Sequence, residues 1–142
     1  MRIFVLDDDM QRIKWFKRAF LDEGNSVYYA HDPIEAEEML RNNEYDKIFL
    51  DHDLAGADKP YQRGPKGDGI DLAIIMAKDK IQVDTPVVVH SLNHDGSENM
   101  LAALKDTHSN LFRIDFKLLR HSGADQAITV IEHKLKPFYR GK

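Results

Sequence analysis

Five short apolar runs, each followed by a stretch of helical periodicity, constrain this chain more than any other feature. The runs are "RIFVL" (2–6), "SVYYA" (26–30), "DKIFL" (46–50), "TPVVVHS" (85–91) and "NLFRIDF" (110–116). They are strand-length and rich in β-branched and aromatic residues, as strands buried on both faces are. After the first, "MQRIKWFKRAFLDEG" repeats Ile13, Phe16 and Phe20 at helical spacing, and Gly24 suits a helix end. After the second, Asp32 is placed to cap a helix, with Pro33 as its first residue and Glu35 as its third. Residues 70–79, 97–106 and 124–136 supply three further helical patterns, the last stopped by Pro137. Strands alternating with helices of this length predict an α/β fold: a single doubly wound, five-stranded parallel sheet covered on both faces.

The 142 residues fit one domain, taken here as 1–142, large enough to fold without a disulfide or structural metal. There is no cysteine, which excludes disulfides and thiolate chemistry. No apolar run approaches a membrane span, and the four apolar residues within "MRIFVLDDD" are too few for a signal peptide. These readings predict a cytoplasmic protein with no membrane association. A net charge of −4 gives no global attraction to nucleic acid, so any such contact would be local.

In open α/β sheets, ligands bind beyond the carboxyl ends of the strands, at a topological switch point. Polar residues gather there three times. Asp7, Asp8 and Asp9 follow the first strand, Asp51, His52 and Asp53 the third, and His90, Ser91, Asn93 and His94 the fourth. Carboxylates crowded together repel, and some take up protons unless a positive charge sits among them. Oxygen donors of this kind suit Mg²⁺ or Mn²⁺. A neighbouring lysine or arginine could also neutralise them. Strand alternation turns His52 away from Asp51 and Asp53, and brings His90 and Ser91 to one pocket only if the strand bends. Asp71 either reaches back to the site or serves as a helix N-terminal acid. His94 reads as a loop residue, and His31, His108, His121 and His133 as surface residues.

This assembly resembles the receiver domain of response regulators, which implies the strand order 2-1-3-4-5 of flavodoxin-like sheets. The resemblance implies metal ligands at Asp7 and Asp8, a phosphoacceptor at Asp51 and a phosphate-contacting hydroxyl at Ser91. It also implies a lysine after the fifth strand. Lys136-Pro137-Phe138 looks like the receiver tripeptide but follows the last helix; Arg113 or Lys117 are better placed. A narrower resemblance rests on Leu50-Asp51-His52-Asp53-Leu54, Gly69-Ile70-Asp71 and His90-Ser91-Leu92-Asn93. Together these are similar to the family called cyclic-phosphate processing receiver domains.

That family's name implies hydrolysis of cyclic phosphates on nucleotides or RNA ends. The reading assigns metal binding to Asp8 and Asp51, with Asp7 or Asp53 assisting. It assigns proton transfer to His52 or His90, and phosphate contacts to Ser91, Asn93 and Lys117. Lys59, Arg63 and Lys66 would close over an anionic substrate. The nucleophile is a metal-bound water or Asp51 itself. The rival readings are a phosphoaccepting receiver that signals through Asp51, and a catalytically silent interaction module. Receiver-like domains also form homodimers through the last helix and strand, although no decisive apolar stripe marks that surface here.

Overall fold

The computed structural model describes residues 1–20, 24–56, 59 and 62–121. The elements run in strict alternation: β1 (Arg2–Leu6), α1 (Met10–Ala19), β2 (Ser26–Ala30), α2 (Pro33–Asn42), β3 (Lys47–Leu50), α3 (Gly69–Lys78), β4 (Val87–Val89), α4 (His94–Leu104), β5 (Leu111–Arg113) and α5 (Phe116–His121). All neighbouring strands pair in parallel, in the order β2-β1-β3-β4-β5. The order reverses between β1 and β3, which places the switch point above those two strands.

Strand alternation sorts the core into two layers. Phe4, Leu6, Ile48, Leu50, Val87 and Val89 pack against Ala36 and Leu40 of α2, Leu72 and Met76 of α3, and Met100 and Leu101 of α4. Ile3, Val5, Phe49 and Val88 face the other way, against Phe16 of α1 and Phe116 and Leu119 of α5. The central strands β1, β3 and β4 therefore have almost no wet face, which is why their residues are almost all apolar, whereas the edge strand β2 exposes Ser26 and Tyr28.

Element ends differ from the sequence-based expectation for identifiable reasons. Asn93 caps α4 through the backbone N–H of Gly96, at 2.9 Å, so that helix starts at His94 rather than at Ser97. β5 ends at Arg113, and Phe116, expected in the strand, begins α5. The carboxylate of Asp115 accepts the N–H of Lys117 and its carbonyl accepts those of Leu118 and Leu119, which starts the helix early. The helix expected over 124–136, the Lys136-Pro137-Phe138 tripeptide and His133 lie outside the described residues, as does the His121 side chain. His108, read as a surface residue, is fully buried. Its ring bridges Thr107 Oγ1 (2.8 Å) and the Ile81 carbonyl (2.7 Å), and burial lowers its pKa. Among the described residues no helix is long and apolar enough to cross a membrane.

Candidate functional site

Asp7, Asp51 and His90 each stand one residue beyond a strand end, and alternation puts all three on the α1/α5 side. Asp7 is fully buried and nearly saturated with partners. Its Oδ2 lies 2.9 Å from His90 Nε2, and its Oδ1 accepts the N–H of Asp9 (2.9 Å) and Nη2 of Arg12 (3.1 Å). His90 is sealed from solvent by Phe16, Phe49 and Phe116, and its Nδ1 has no hydrogen-bond partner among the described residues. Its role in this arrangement is to fix Asp7. The sequence-based alternative of His90 as proton donor to a substrate conflicts with that enclosure.

Arg12, which the sequence reading did not single out, is the main addition. It rises from the first turn of α1 and leans back over the strand ends, as helical side chains do. Its Nε is 2.9 Å from Asp7 Oδ2, an ion pair whose angle is poor for a hydrogen bond, and its Nη2 is 3.2 Å from Asp51 Oδ2. The signal that could have revealed it is its spacing of three and four residues from Asp9 and Asp8, which places it above the acids.

Asp8 turns its Oδ2 to the N–H of Gly56 at 2.6 Å. The third acid, Asp9, is the N-cap of α1 and accepts from Gln11. One oxygen each from Asp7, Asp8 and Asp51 lie within 4.8 Å of one another. The electrostatics show how incomplete their neutralisation is. Burial opposes the ionisation of Asp7, but the His90 hydrogen bond and the charges of His90 and Arg12 outweigh it and hold this carboxyl below its ordinary value. Burial, then the charge of Asp7, raises Asp8. The same two causes push Asp51 up to about 6, despite a hydrogen bond from Ser91. Three ionised carboxylates outnumber the one guanidinium and the His90 ring beside them, which leaves at least one negative charge uncompensated. A hard divalent cation fits that donor set. Asp8 and Asp51 would hold it, because both oxygens of Asp7 are already engaged.

His52 and Asp53 form a separate group. His52 turns to the α4 side, as alternation predicts, and packs on Gly96, where an added Cβ would sit 2.6 Å from its ring. Its Nδ1 is 2.7 Å from Asp53 Oδ1, and Asn93 Nδ2 donates to the same oxygen at 3.1 Å. Asp53, expected near a metal, instead turns to His52 and Asn93 and is not among the converging carboxylates. Ser91 Oγ accepts the N–H of Asn93, which ties the end of β4 to this group.

Gly69 explains its place in the motif. Its N–H donates to the His52 carbonyl at 2.8 Å, and a Cβ there would lie 2.1 Å from the Asp51 carbonyl. Only glycine lets α3 start this close to the end of β3. Asp71 belongs to the α3 capping box and receives both contacts from Arg63 Nη2, each 3.0 Å, so it is a helix N-terminal acid. Lys66 lies 3.9 Å from Asp32, and Lys59 is exposed. Arg63 and Lys66 thus pair away from the acid cluster. Arg113, opposite Val89 in the ladder, faces the α4 layer. Lys117 is exposed on α5, and none of the cluster's ion pairs includes it. Beside Asp8, a cleft of about 320 Å³ is lined by His31, Asp32, Leu54, Ala55, Gly56, Pro65 and Lys66. A larger polar crevice, about 780 Å³, opens between the α2–β3 and α3–β4 connections, at the amino end of the sheet and away from these acids.

Comparison with known proteins fits this geometry. The chain is 32% identical over 84 residues to the response regulator MprA of Mycobacterium avium, covering 57% of this chain and 37% of that protein. It thus spans well under half the length of that relative. The receiver domain of the Francisella response regulator 1452 superposes with a TM-score of 0.60 at 28% identity, covering 92% of each chain. The phosphorylated cyanobacterial phytochrome response regulator RcpA shares the fold, with a TM-score of 0.62 at 23% identity, covering 92% of this chain and 88% of that one. The profile of the family described as cyclic-phosphate processing receiver domain matches residues 1–106. Receiver in fold, with His52 and the His90-Ser91-Leu92-Asn93 element at its ligand edge, the chain belongs to the family of cyclic-phosphate processing receiver domains.

Proposed function

We propose that this domain opens cyclic phosphodiesters on nucleotides or RNA ends, with the phosphoryl group bound at the sheet edge between Asp51 and His52. One observation carries the reading: His52 is half-buried one residue from Asp51, held through Nδ1 by Asp53, with no described partner for Nε2. An imidazole oriented by a carboxylate is suited to proton transfer at its other nitrogen. Asn93, fixed as the cap of α4, in turn fixes Asp53.

Asp8 and Asp51 would hold Mg²⁺ or Mn²⁺, whose chemistry when bound is to neutralise phosphoryl oxygens. The chain's own groups do the rest. An oxygen nucleophile attacks phosphorus in line as the ring P–O bond breaks, and His52 delivers a proton to the departing alkoxide. Asp51 is either that nucleophile or the base for an attacking water. Ser91, hydrogen-bonded to Asp51, is placed to donate to a phosphoryl oxygen. The cleft beside Asp8, apolar at Leu54, Ala55 and Pro65, offers room for the organic part of the substrate.

The test is turnover of 2′,3′-cyclic nucleotides and cyclic-ended RNA by the full chain with Mn²⁺, its loss in Asp51→Asn, and its fall in His52→Ala. Absence of turnover across the panel overturns the reading. A second reading, phosphoacceptance at Asp51, is favoured by the position of that residue beside Ser91 and by the response-regulator relatives. A persistent acid-labile phosphate adduct on Asp51, weighed after exposure to a small phosphodonor, would select it.

A further inference from the structure

We propose that Arg12 is the phosphate-contacting cation of this site, resting on Asp51 when no anion is bound and passing to the anion's oxygens while it stays anchored to Asp7. This rests on the reading of the acid cluster as a phosphate site, but not on hydrolysis.

The argument begins from a missing charge. The strand-five end, where a receiver's lysine would reach the phosphoryl group, reads Ile114-Asp115-Phe116, and Asp115 is committed to starting α5. Arg113 faces the α4 layer and Lys117 is exposed. Among the described residues, the cation at the cluster is Arg12.

Its contacts are unequal. Asp7 accepts a hydrogen bond from Nη2 at 3.1 Å and meets Nε in an ion-pair contact at 2.9 Å, and is itself clamped by His90 and the Asp9 N–H. Asp51 receives Nη2 alone, at 3.2 Å, and Asp8 is 4.0 Å away. Asp7 is therefore the anchor, and the Asp51 contact is the one that can be exchanged. The guanidinium lies over the Phe116 ring, 5.8 Å from its centroid, which limits sideways movement. The side chain retains 20% exposure, so an anion arriving from the mouth can meet it. A planar fork of five donors can hold a carboxylate and a phosphoryl oxygen at once, which an ammonium group does less well.

A divalent cation and Arg12 compete for Asp51. With Asp51 occupied by the cation, the free Nη2 edge faces the position a phosphoryl group would take. Cation and phosphate should then bind with positive coupling, transmitted in part by Arg12.

The experiment titrates the full chain with Mn²⁺ and with inorganic phosphate, separately and together, in the wild type, Arg12→Ala and Arg12→Lys. Mn²⁺ is followed by its paramagnetic signal, and both titrations by the fluorescence of Trp15, the chain's single tryptophan, one turn from Arg12 and stacked edge-on against Phe116 at 5.4 Å. In Arg12→Ala, Mn²⁺ alone should bind at least about threefold more tightly, because its competitor is gone. Phosphate affinity of the Mn²⁺-loaded protein should fall at least about tenfold. Arg12→Lys should keep the fold and recover part of the phosphate affinity; if Arg12→Ala does not fold, the same comparison is made with Arg12→Lys, whose phosphate affinity should still fall. Unchanged phosphate affinity in the folded variants, or a wild type that binds no phosphate with Mn²⁺ present, overturns the proposal. Phosphate binding through Arg12 without turnover of any cyclic phosphate would sink the hydrolase reading and leave Arg12 standing. Turnover that survives Arg12→Ala with unchanged phosphate affinity would do the reverse.

Discussion

The tripeptide Asp51-His52-Asp53 feeds two groups of opposite character on the two sides of one sheet edge. On the α1/α5 side, Asp7, Asp51 and His90 are buried and crowded, and depend on Arg12. On the α4 side, His52 and Asp53 retain 14% and 37% exposure and hang on the cap of α4. The first group is high in charge and poor in water, so its carboxyl groups shift in opposite directions. The second is a chain of neutral and singly charged hydrogen bonds that water can reach. The difference suggests a division of labour: the buried side holds charge, the wet side moves a proton.

The largest expected effect comes from removing the anchor of the buried side. Asp7→Ala leaves an enclosed imidazole and a mostly buried guanidinium without their shared carboxylate. It should cost about 3–5 kcal/mol, read from urea midpoints. A cost no greater than that of Asp53→Ala would break the comparison, because it would mean the two sides are equally surface-like.

A smaller effect, of opposite sign, is expected at Asp51. In the metal-free protein its carboxyl sits at about 6, against 3.8 for an ordinary aspartate. Between those values the folded chain holds a proton that the unfolded chain has lost. The Asp51 contribution to stability therefore falls as pH rises from about 4 to 6 and levels off above, whereas that of buried His108, whose pKa is lowered, rises with pH up to its ordinary value of 6.5. Asp51→Asn should flatten that decline and raise stability at pH 7.5 by about 1–3 kcal/mol. Excess Mn²⁺ should flatten it in the wild type too, since the cation takes the proton's place. A wild type whose pH profile coincides with that of Asp51→Asn without metal would show that Arg12 alone neutralises the cluster.

Much of this layout was legible from periodicity. Short β-branched and aromatic runs gave the strands, their alternation turned His52 away from Asp51, and Gly69-Ile70-Asp71 marked the opening of α3. Arg12 was not legible in the same way. It is one of four cations in "QRIKWFKR", and composition does not distinguish a guanidinium leaning over strand ends from Lys14, Lys17 and Arg18 facing solvent. His108 was misread because its burial depends on the Ile81 carbonyl, 27 residues earlier. Asp53 was assigned to a metal because spacing places an acid at a strand end without saying which neighbour it will choose.

That choice can be tested at the lowest cost to the fold. Asp53→Asn keeps the size of the side chain and a hydrogen bond to Asn93, but removes the charge facing His52 Nδ1. The pair is half-exposed, so stability should change by less than about 1 kcal/mol. If His52 moves the proton, turnover of a 2′,3′-cyclic nucleotide should fall at least about tenfold, mainly in kcat, while Mn²⁺ affinity stays within about twofold. If Mn²⁺ affinity instead drops tenfold or more with stability unchanged, Asp53 swings to the metal in the loaded protein. The two sides of the sheet edge would then be a single site, and the separation seen without metal would be a resting arrangement.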